Sequence, residues 1–217
     1  MEGTPLELPL HQPTPIPRRA ELVRRARLLA WLGLAWHVVE ATVAIAAGVA
    51  AGSIALIGFG ADSVVESFAG TVVIWRFGAR RVTGSTAERH AQRLIAISFL
   101  VIAAYVAAEA VLTLIDAAHP HSSWVGIGLA SVTLLIMPPL ASAKTRVATK
   151  LGSSATHSEG RQNMLCAYLS AGLLVGLGAN ALLGWWWADP GAALLISAVA
   201  IREGVGAWRG DACCEAC

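Results

Sequence analysis

The chain has 217 residues, of which 56% are hydrophobic and only 14% are charged, and its mean hydropathy is +0.62. Soluble domains carry about 25% charged residues, so this composition excludes a disordered chain, a soluble nucleic-acid-binding protein and an ordinary cytosolic enzyme. The net charge of +2 is uninformative by itself, because the positions of the charges matter more in a membrane protein. We therefore expect a non-enzymatic protein whose main partner is the lipid bilayer.

About 20 apolar residues form one membrane-spanning helix, and the apolar segments predict six spans, at residues 28–49, 54–76, 93–115, 124–142, 159–184 and 190–208. Residues 1–24 are Pro-rich and then basic, which predicts a disordered cytoplasmic tail. Residues 25–209 form the six-helix transmembrane domain, and residues 210–217 form a Cys-rich cytoplasmic tail. Polar, basic loops are predicted at residues 77–92 and 143–157.

The Lys and Arg residues give the orientation. They fall before the first span, between the second and third, between the fourth and fifth (counting Arg161, near the start of the fifth), and near the end of the sixth. Cytoplasmic loops carry the excess of Lys and Arg, so both termini are expected in the cytoplasm. The predicted fold class is an all-α membrane protein with six transmembrane helices.

Four carboxylates lie inside predicted spans: Glu40, Asp62, Glu66 and Glu109. Each costs at least about 2.5–3.5 kcal/mol at the bilayer centre, so such residues are functional hypotheses by default. Asp62 and Glu66 are four residues apart and share a helix face, which suits cation binding between them. The alternative is a protonated or hydrogen-bonded pair that stabilises helix packing. For Glu109 a structural role, or pairing with an Arg, is favoured over ligation.

His37 and Glu40 are three residues apart in the first span. The pair predicts a proton relay or an outer shell around a metal, and a structural hydrogen bond between helices explains it equally well.

A polar stripe runs along the start of the fifth span, at Glu159, Gln162, Asn163 and Cys166. A Cys166 thiolate would be a soft ligand for zinc or cadmium, although a buried, inert cysteine fits the sequence as well. The amide of Gln162 is a weaker zinc ligand, and Asn163 is expected to hydrogen-bond a neighbouring helix. Three more cysteines in the final tail suggest metal capture, with palmitoylation or no function as alternatives: Cys213, Cys214 and Cys217.

Several segments, in this order, resemble the transmembrane domain of the cation diffusion facilitator (cation efflux) family: Ala51-Gly-Ser-Ile-Ala-Leu56, Asp62-Ser-Val-Val-Glu66, Glu159 to Cys166, and Gly184-Trp-Trp-Trp-Ala-Asp-Pro190. The resemblance extends over about residues 25–209. It implies a six-helix bundle, usually a homodimer, that exports divalent metals, mostly zinc, in exchange for protons. It also implies a tetrahedral site between helices two and five, with ligands at Asp62, Glu66, Gln162 and Cys166.

The chain departs from the family pattern at three of these ligands. Glu66, Gln162 and Cys166 stand where the family has Asp, His and Asp, and Glu159 could take the place of a missing ligand. The cytosolic domain that usually follows helix six has no counterpart here, so only the transmembrane domain is expected. The leading hypothesis is a zinc transporter, with cadmium, cobalt, iron or manganese as other substrates. The alternative is a metal-binding membrane partner or sensor that does not translocate ions.

Two further expectations concern depth and location. At helical rise, Asp62 lies about 12 Å from the outer end of its span and Cys166 about 28 Å from the outer end of its own, so a protruding or tilted fifth helix is needed to align them.

Arg greatly outnumbers Lys and Ala is abundant, which is typical of a GC-rich bacterial genome. A bacterial plasma (inner) membrane is the expected location.

Overall fold

The structure is a computed structural model that describes residues 16–78 and 85–209. These residues form six α-helices and no β-strand: α1 (Ile16–Ala51), α2 (Ile54–Gly78), α3 (Ser85–Ile115), α4 (Trp124–Leu151), α5 (Ser154–Leu183) and α6 (Ala188–Arg209). Four helices contain stretches that are long and apolar enough to cross a membrane, at Arg19–Ala51, Ala96–Ile115, Trp124–Leu151 and Thr156–Leu183. The all-α membrane fold with six helices is therefore confirmed, while the cytoplasmic position of the termini stays a prediction.

Two boundaries differ from the sequence prediction. Helix α1 begins at Ile16, so residues 16–24, assigned above to a disordered tail, are helical. The predicted loop at 143–157 is also helical, apart from the short turn between α4 and α5. Hydropathy marks where apolar side chains end, whereas a helix continues through polar residues until its backbone is interrupted. Residues 1–15 and the tail with Cys213, Cys214 and Cys217 lie outside the described residues.

Helix α5 is long enough to account for the expected difference in depth between Asp62 and Cys166. Its 30 residues span about 45 Å, against a hydrocarbon core of about 30 Å. The helix must therefore extend beyond the hydrocarbon core or tilt within it. Cys166 lies twelve residues after the first residue of α5, and it reaches the same level of the bundle as Glu40 of α1.

Two helical hairpins of similar design form the centre of the bundle. Helices α1 and α2 are joined at Gly52 and Ser53, and helices α4 and α5 at Gly152 and Ser153. Both glycines have left-handed backbone angles, with φ of +66° and +63°, which glycine adopts without steric cost. Each serine hydroxyl then accepts a hydrogen bond from a backbone N–H in the first turn of the following helix. Helices α3 and α6 pack together as a third pair beside the hairpins.

The two hairpin turns lie at opposite ends of the bundle. Ser53 Oγ, in the first turn, donates a hydrogen bond to Asp189 Oδ1 at 2.5 Å, and Asp189 belongs to the start of α6. At the same end, the His121 N–H donates to the carbonyl of Ala51 at 2.8 Å. These contacts join two of the segments that carry the family resemblance. The α4–α5 turn is at the other end, which is the predicted cytoplasmic side.

Candidate metal centre

Four buried side chains from three helices converge in the middle of the bundle. His37 and Glu40 come from α1, Glu66 from α2 and Cys166 from α5, and one ligand atom of each lies within 4.8 Å of the others. The exposed fraction of both Glu40 and Cys166 is 0%. The cluster thus combines an imidazole nitrogen, two carboxylates and a sulfur in a buried site.

Glu40 is the most connected member of the cluster. Its Oε2 accepts a hydrogen bond from Ser63 Oγ at 2.9 Å, and it lies 3.3 Å from His37 Nδ1 and 3.6 Å from Cys166 Sγ. Its Oε1 accepts a hydrogen bond from Thr133 Oγ1 of α4. A buried carboxylate is costly unless its lone pairs are used. These contacts explain how α1 can keep a fully buried acid, and they connect all four helices of the two hairpins.

Glu66 is held more loosely than Glu40. Its Oε2 lies 3.0 Å from His37 Nδ1, which is an ion-pair distance. The same nitrogen also faces Glu40, and a single N–H cannot point at both acids. Within residues 16–78 and 85–209, Glu66 Oε2 has no hydrogen-bond partner. A buried carboxylate oxygen with a free lone pair is available to a cation.

The other residues taken from the family pattern lie around this cluster. Asp62 is buried one turn before Glu66, nearer the α1–α2 turn, and it is not among the four converging residues that the described chain provides. Gln162 is half-buried, one turn before Cys166 and nearer the α4–α5 turn. Glu159 forms an ion pair with Lys144, with 3.1 Å between Oε2 and Nζ. The structure thus brings together Glu66 and Cys166 and adds two α1 residues to them.

Sequence reasoning missed Lys144, Ser63 and Thr133. Lys144 was assigned to a cytoplasmic loop, but it is only 3% exposed and lies within α4. The signal that was available is the lack of any helix-ending residue between Pro139 and Gly152. Ser63 and Thr133 are small polar residues of apolar spans, and only their contacts with Glu40 distinguish them.

A small cavity adjoins the cluster on the side of the α4–α5 turn. Its volume is about 20 Å³, enough for one water-sized species. Its polar lining consists of His37, Glu66, Lys144, Glu159, Gln162 and Asn163. Glu66 and His37 of the cluster therefore border a space that a small ion or water can enter.

Comparison with known proteins gives the family. Residues 30–209 match the family model of the cation efflux transmembrane domain. No curated protein matches the chain. The matched range contains all four converging residues and most of each of the six helices. The match confirms the resemblance found in the sequence, and we conclude that the chain belongs to the cation efflux transmembrane-domain family.

Proposed function

We propose that this protein exports divalent metal cations, with zinc as the favoured substrate, in exchange for protons. Membership of a transporter family supports metal cation transport in general and an integral membrane location. The observation that carries the finer proposal is the convergence of His37, Glu40, Glu66 and Cys166 in one buried cluster.

The donor set favours zinc on chemical grounds. Zinc binds histidine nitrogen, carboxylate oxygen and cysteine sulfur in tetrahedral sites at about 2.0–2.3 Å, which places neighbouring ligand atoms about 3.3–3.8 Å apart. The four atoms here lie within 4.8 Å of one another, so shifts of about 1 Å or less would complete such a shell. The sulfur also suits cadmium, whereas manganese prefers oxygen ligands alone. Cobalt and iron are intermediate.

In this proposal the ion lies between α2 and α5, with a contribution from α1. Glu66 and Cys166 bind it from the two hairpins, and His37 and Glu40 complete the shell. Gln162 lies one turn toward the α4–α5 end, and Asp62 lies one turn toward the α1–α2 end. We assign these two residues to the path of the ion on either side of the shell.

Competition between metal and protons for the same atoms would couple the two fluxes. A cysteine binds metal as the thiolate, and a carboxylate must be ionised, so metal binding releases protons. When the ion leaves toward the outer side, protons return to the same lone pairs. Tilting of one hairpin against the other would expose the cluster to the two sides in turn.

We further expect a homodimer, as the family resemblance implies, and a bacterial inner membrane, as the high Arg and Ala content indicates. The observation in the structure that supports a membrane location or a dimer is the apolar outer surface of the bundle. Large side chains such as Leu135, Val175 and Leu182 are exposed there. Such side chains face lipid or a second copy of the chain.

Flux into liposomes tests the proposal. Purified protein is reconstituted into liposomes that contain a zinc or cadmium dye, and a pH gradient is imposed. We expect saturable uptake by the wild type and its loss in Glu66→Gln. Glu109→Gln is the matched control, because Glu109 is a half-buried acid of α3 outside the cluster. Wild-type flux no greater than that of empty liposomes would reject transport, and saturable binding without flux would favour the metal-binding partner or sensor.

A further inference from the structure

A lysine is buried beside the metal cluster, and the proposed function does not use it. Lys144 lies on α4 with an exposed fraction of 3%. Its Nζ is 3.1 Å from Glu159 Oε2 and donates a hydrogen bond to Asn163 Oδ1 at 3.3 Å, both on α5. Ionisable groups inside a membrane domain are costly, and they are kept where they have a partner and a role.

The ion pair of Lys144 and Glu159 is not a closed structural network. In the described part of the chain, the second oxygen of Glu159, Oε1, has no hydrogen-bond partner. A purely structural buried pair is expected to satisfy all of its polar atoms. Glu159 lines the same cavity as Lys144 and as Glu66, whose Oε2 has an ion-pair contact with His37 Nδ1 but no assigned hydrogen bond in the described part of the chain.

The lysine side chain reaches from α4 to the surface of α1. A Cβ atom added at Gly33 of α1 would lie 2.7 Å from Lys144 Nζ. Gly33 therefore leaves the space that the ammonium group occupies. The positive charge thus lies where α1, α4 and α5 meet, beside the cavity that His37 and Glu66 also line.

A fixed positive charge at this position has two effects on a divalent cation. The ammonium of Lys144 repels the cation directly, and it competes with the cation for the carboxylates that line the cavity. By pairing with Glu159, it also prevents that acid from becoming an additional ligand. An ion in transit must bind well enough to enter the site and weakly enough to leave it. Lysine suits this task because its ammonium is a compact charge on a stem with many rotatable bonds.

We propose that Lys144 is a tethered counter-cation that sets the affinity of the metal centre. It keeps Glu159 out of the ligand shell, and it moves toward the carboxylate of Glu66 as the metal ion leaves. This inference rests on the proposed function. It assigns to Lys144 a role in positioning charge and in release of the ion, without direct contact with the metal.

The test compares zinc affinity and zinc flux in the full chain. Affinity is measured by calorimetry in detergent and flux in liposomes, for the wild type, Lys144→Met, Lys144→Arg and Glu159→Gln. Lys144→Met removes the charge and frees Glu159, so zinc should bind about tenfold more tightly and turn over about tenfold more slowly. Lys144→Arg keeps the charge and should stay close to wild-type affinity.

Glu159→Gln should act in the opposite direction. The freed ammonium would then pair with Glu66, and zinc binding should weaken by about fivefold. In the double variant with both substitutions, neither the competing charge nor the extra ligand remains, and affinity should return to within about threefold of the wild type. Opposite signs with a compensating double variant cannot result from a general loss of structure.

Gly33→Ala provides a second test if Lys144→Met does not fold. The added methyl group would displace the ammonium from its position without removing the charge. Because the ammonium would then lie farther from the cavity carboxylates, we expect tighter zinc binding in this variant, in the same direction as in Lys144→Met. Gly128→Ala is the matched control, since no described atom lies within 4 Å of a Cβ at that exposed glycine of α4.

The outcomes separate this inference from the proposed function. Absence of both zinc binding and flux in the wild type would reject the proposed function itself. Wild-type flux with unchanged affinity and turnover in Lys144→Met would overturn the counter-cation inference alone. Loss of both binding and flux in a monodisperse, folded Lys144→Met would also overturn it, because the lysine would then be a structural residue only.

Discussion

The two helical hairpins have the same backbone design but opposite chemistry. Counting from Gly52 and from Gly152, the positions 10 and 14 residues later hold Asp62 and Glu66 in one hairpin and Gln162 and Cys166 in the other. The α1–α2 hairpin supplies acids and an imidazole. The α4–α5 hairpin supplies a neutral amide and a thiol.

Lys144 increases the difference in charge between the two hairpins. Lys144 belongs to α4 and neutralises the one buried acid of its own hairpin that faces the cavity. Negative charge is therefore concentrated on α1 and α2. In the proposed site, a cation between the hairpins would be held mainly by hard donors on one side and by sulfur on the other. The two kinds of donor belong to different hairpins, so the proposed tilting of one hairpin against the other would change the number of ligands.

The largest expected effect comes from removing charge on the acidic hairpin. Glu66→Gln takes away the carboxylate whose oxygen lacks a hydrogen-bond partner among residues 16–78 and 85–209. Even partners outside a ligand shell are worth about 10–100-fold in metal affinity, so we expect zinc affinity to fall by more than about 100-fold. Calorimetry against Glu109→Gln measures it, and an unchanged affinity would remove Glu66 from the site.

The next largest effect concerns Cys166, the soft ligand of the α4–α5 hairpin. Cys166→Asp would make both hairpins acidic and would replace the only sulfur in the cluster of four. Thiolate ligands favour soft ions, so cadmium affinity should fall relative to manganese affinity by at least about tenfold. Competition between the two ions for the purified variant gives this ratio. A ratio equal to that of the wild type would show that Cys166 does not bind the ion.

A smaller effect should distinguish the two hairpin turns. Ser53 donates to the wholly buried Asp189, whereas Ser153 caps α5 in a partly exposed turn. Ser53→Ala leaves a buried carboxylate short of a partner, at about 1–3 kcal/mol, and Ser153→Ala loses a cap worth about 1 kcal/mol. Thermal unfolding in detergent should therefore rank Ser53→Ala as the less stable variant, and the reverse order would contradict the role of Asp189.

The smallest effect tests whether the α4–α5 hairpin can be made more like the family pattern. Gln162→His would add an imidazole beside the cavity, one turn from Cys166. Because the side chain lies next to the four-residue cluster and not within it, we expect zinc affinity to rise by only about threefold. A rise of a hundredfold in the same calorimetric titration would place position 162 in the ligand shell.

Much of the fold could be predicted because the chain is so apolar. Spans follow from hydropathy. Acids within spans are conspicuous, which makes Glu40, Asp62 and Glu66 predictable, and the polar stripe of the fifth span indicates Cys166. Lys144 was missed because a basic residue near the end of an apolar stretch is usually in water. Only the packing of α4 against α1 and α5 shows that it is buried.

The assembly of the cluster could not be predicted for a different reason. The spacing of Asp62 and Glu66, or of Gln162 and Cys166, fixes positions on one helix face. It does not fix the level at which one helix meets another. The contribution of His37 and Glu40 depends on how α1 packs against α2 and α5, which is set by many small residues such as Gly48 and Gly60 at the α1–α2 contact.

The central claim is that one ion is bound by donors from both hairpins, including the sulfur of Cys166. X-ray absorption at the zinc edge tests it most directly, with one zinc per chain and with Cys213, Cys214 and Cys217 replaced by Ser. The account predicts one sulfur at about 2.3 Å and about three nitrogen or oxygen ligands at about 2.0–2.2 Å, and loss of the sulfur in Cys166→Ser. Zinc bound only by nitrogen and oxygen before that substitution would contradict the account.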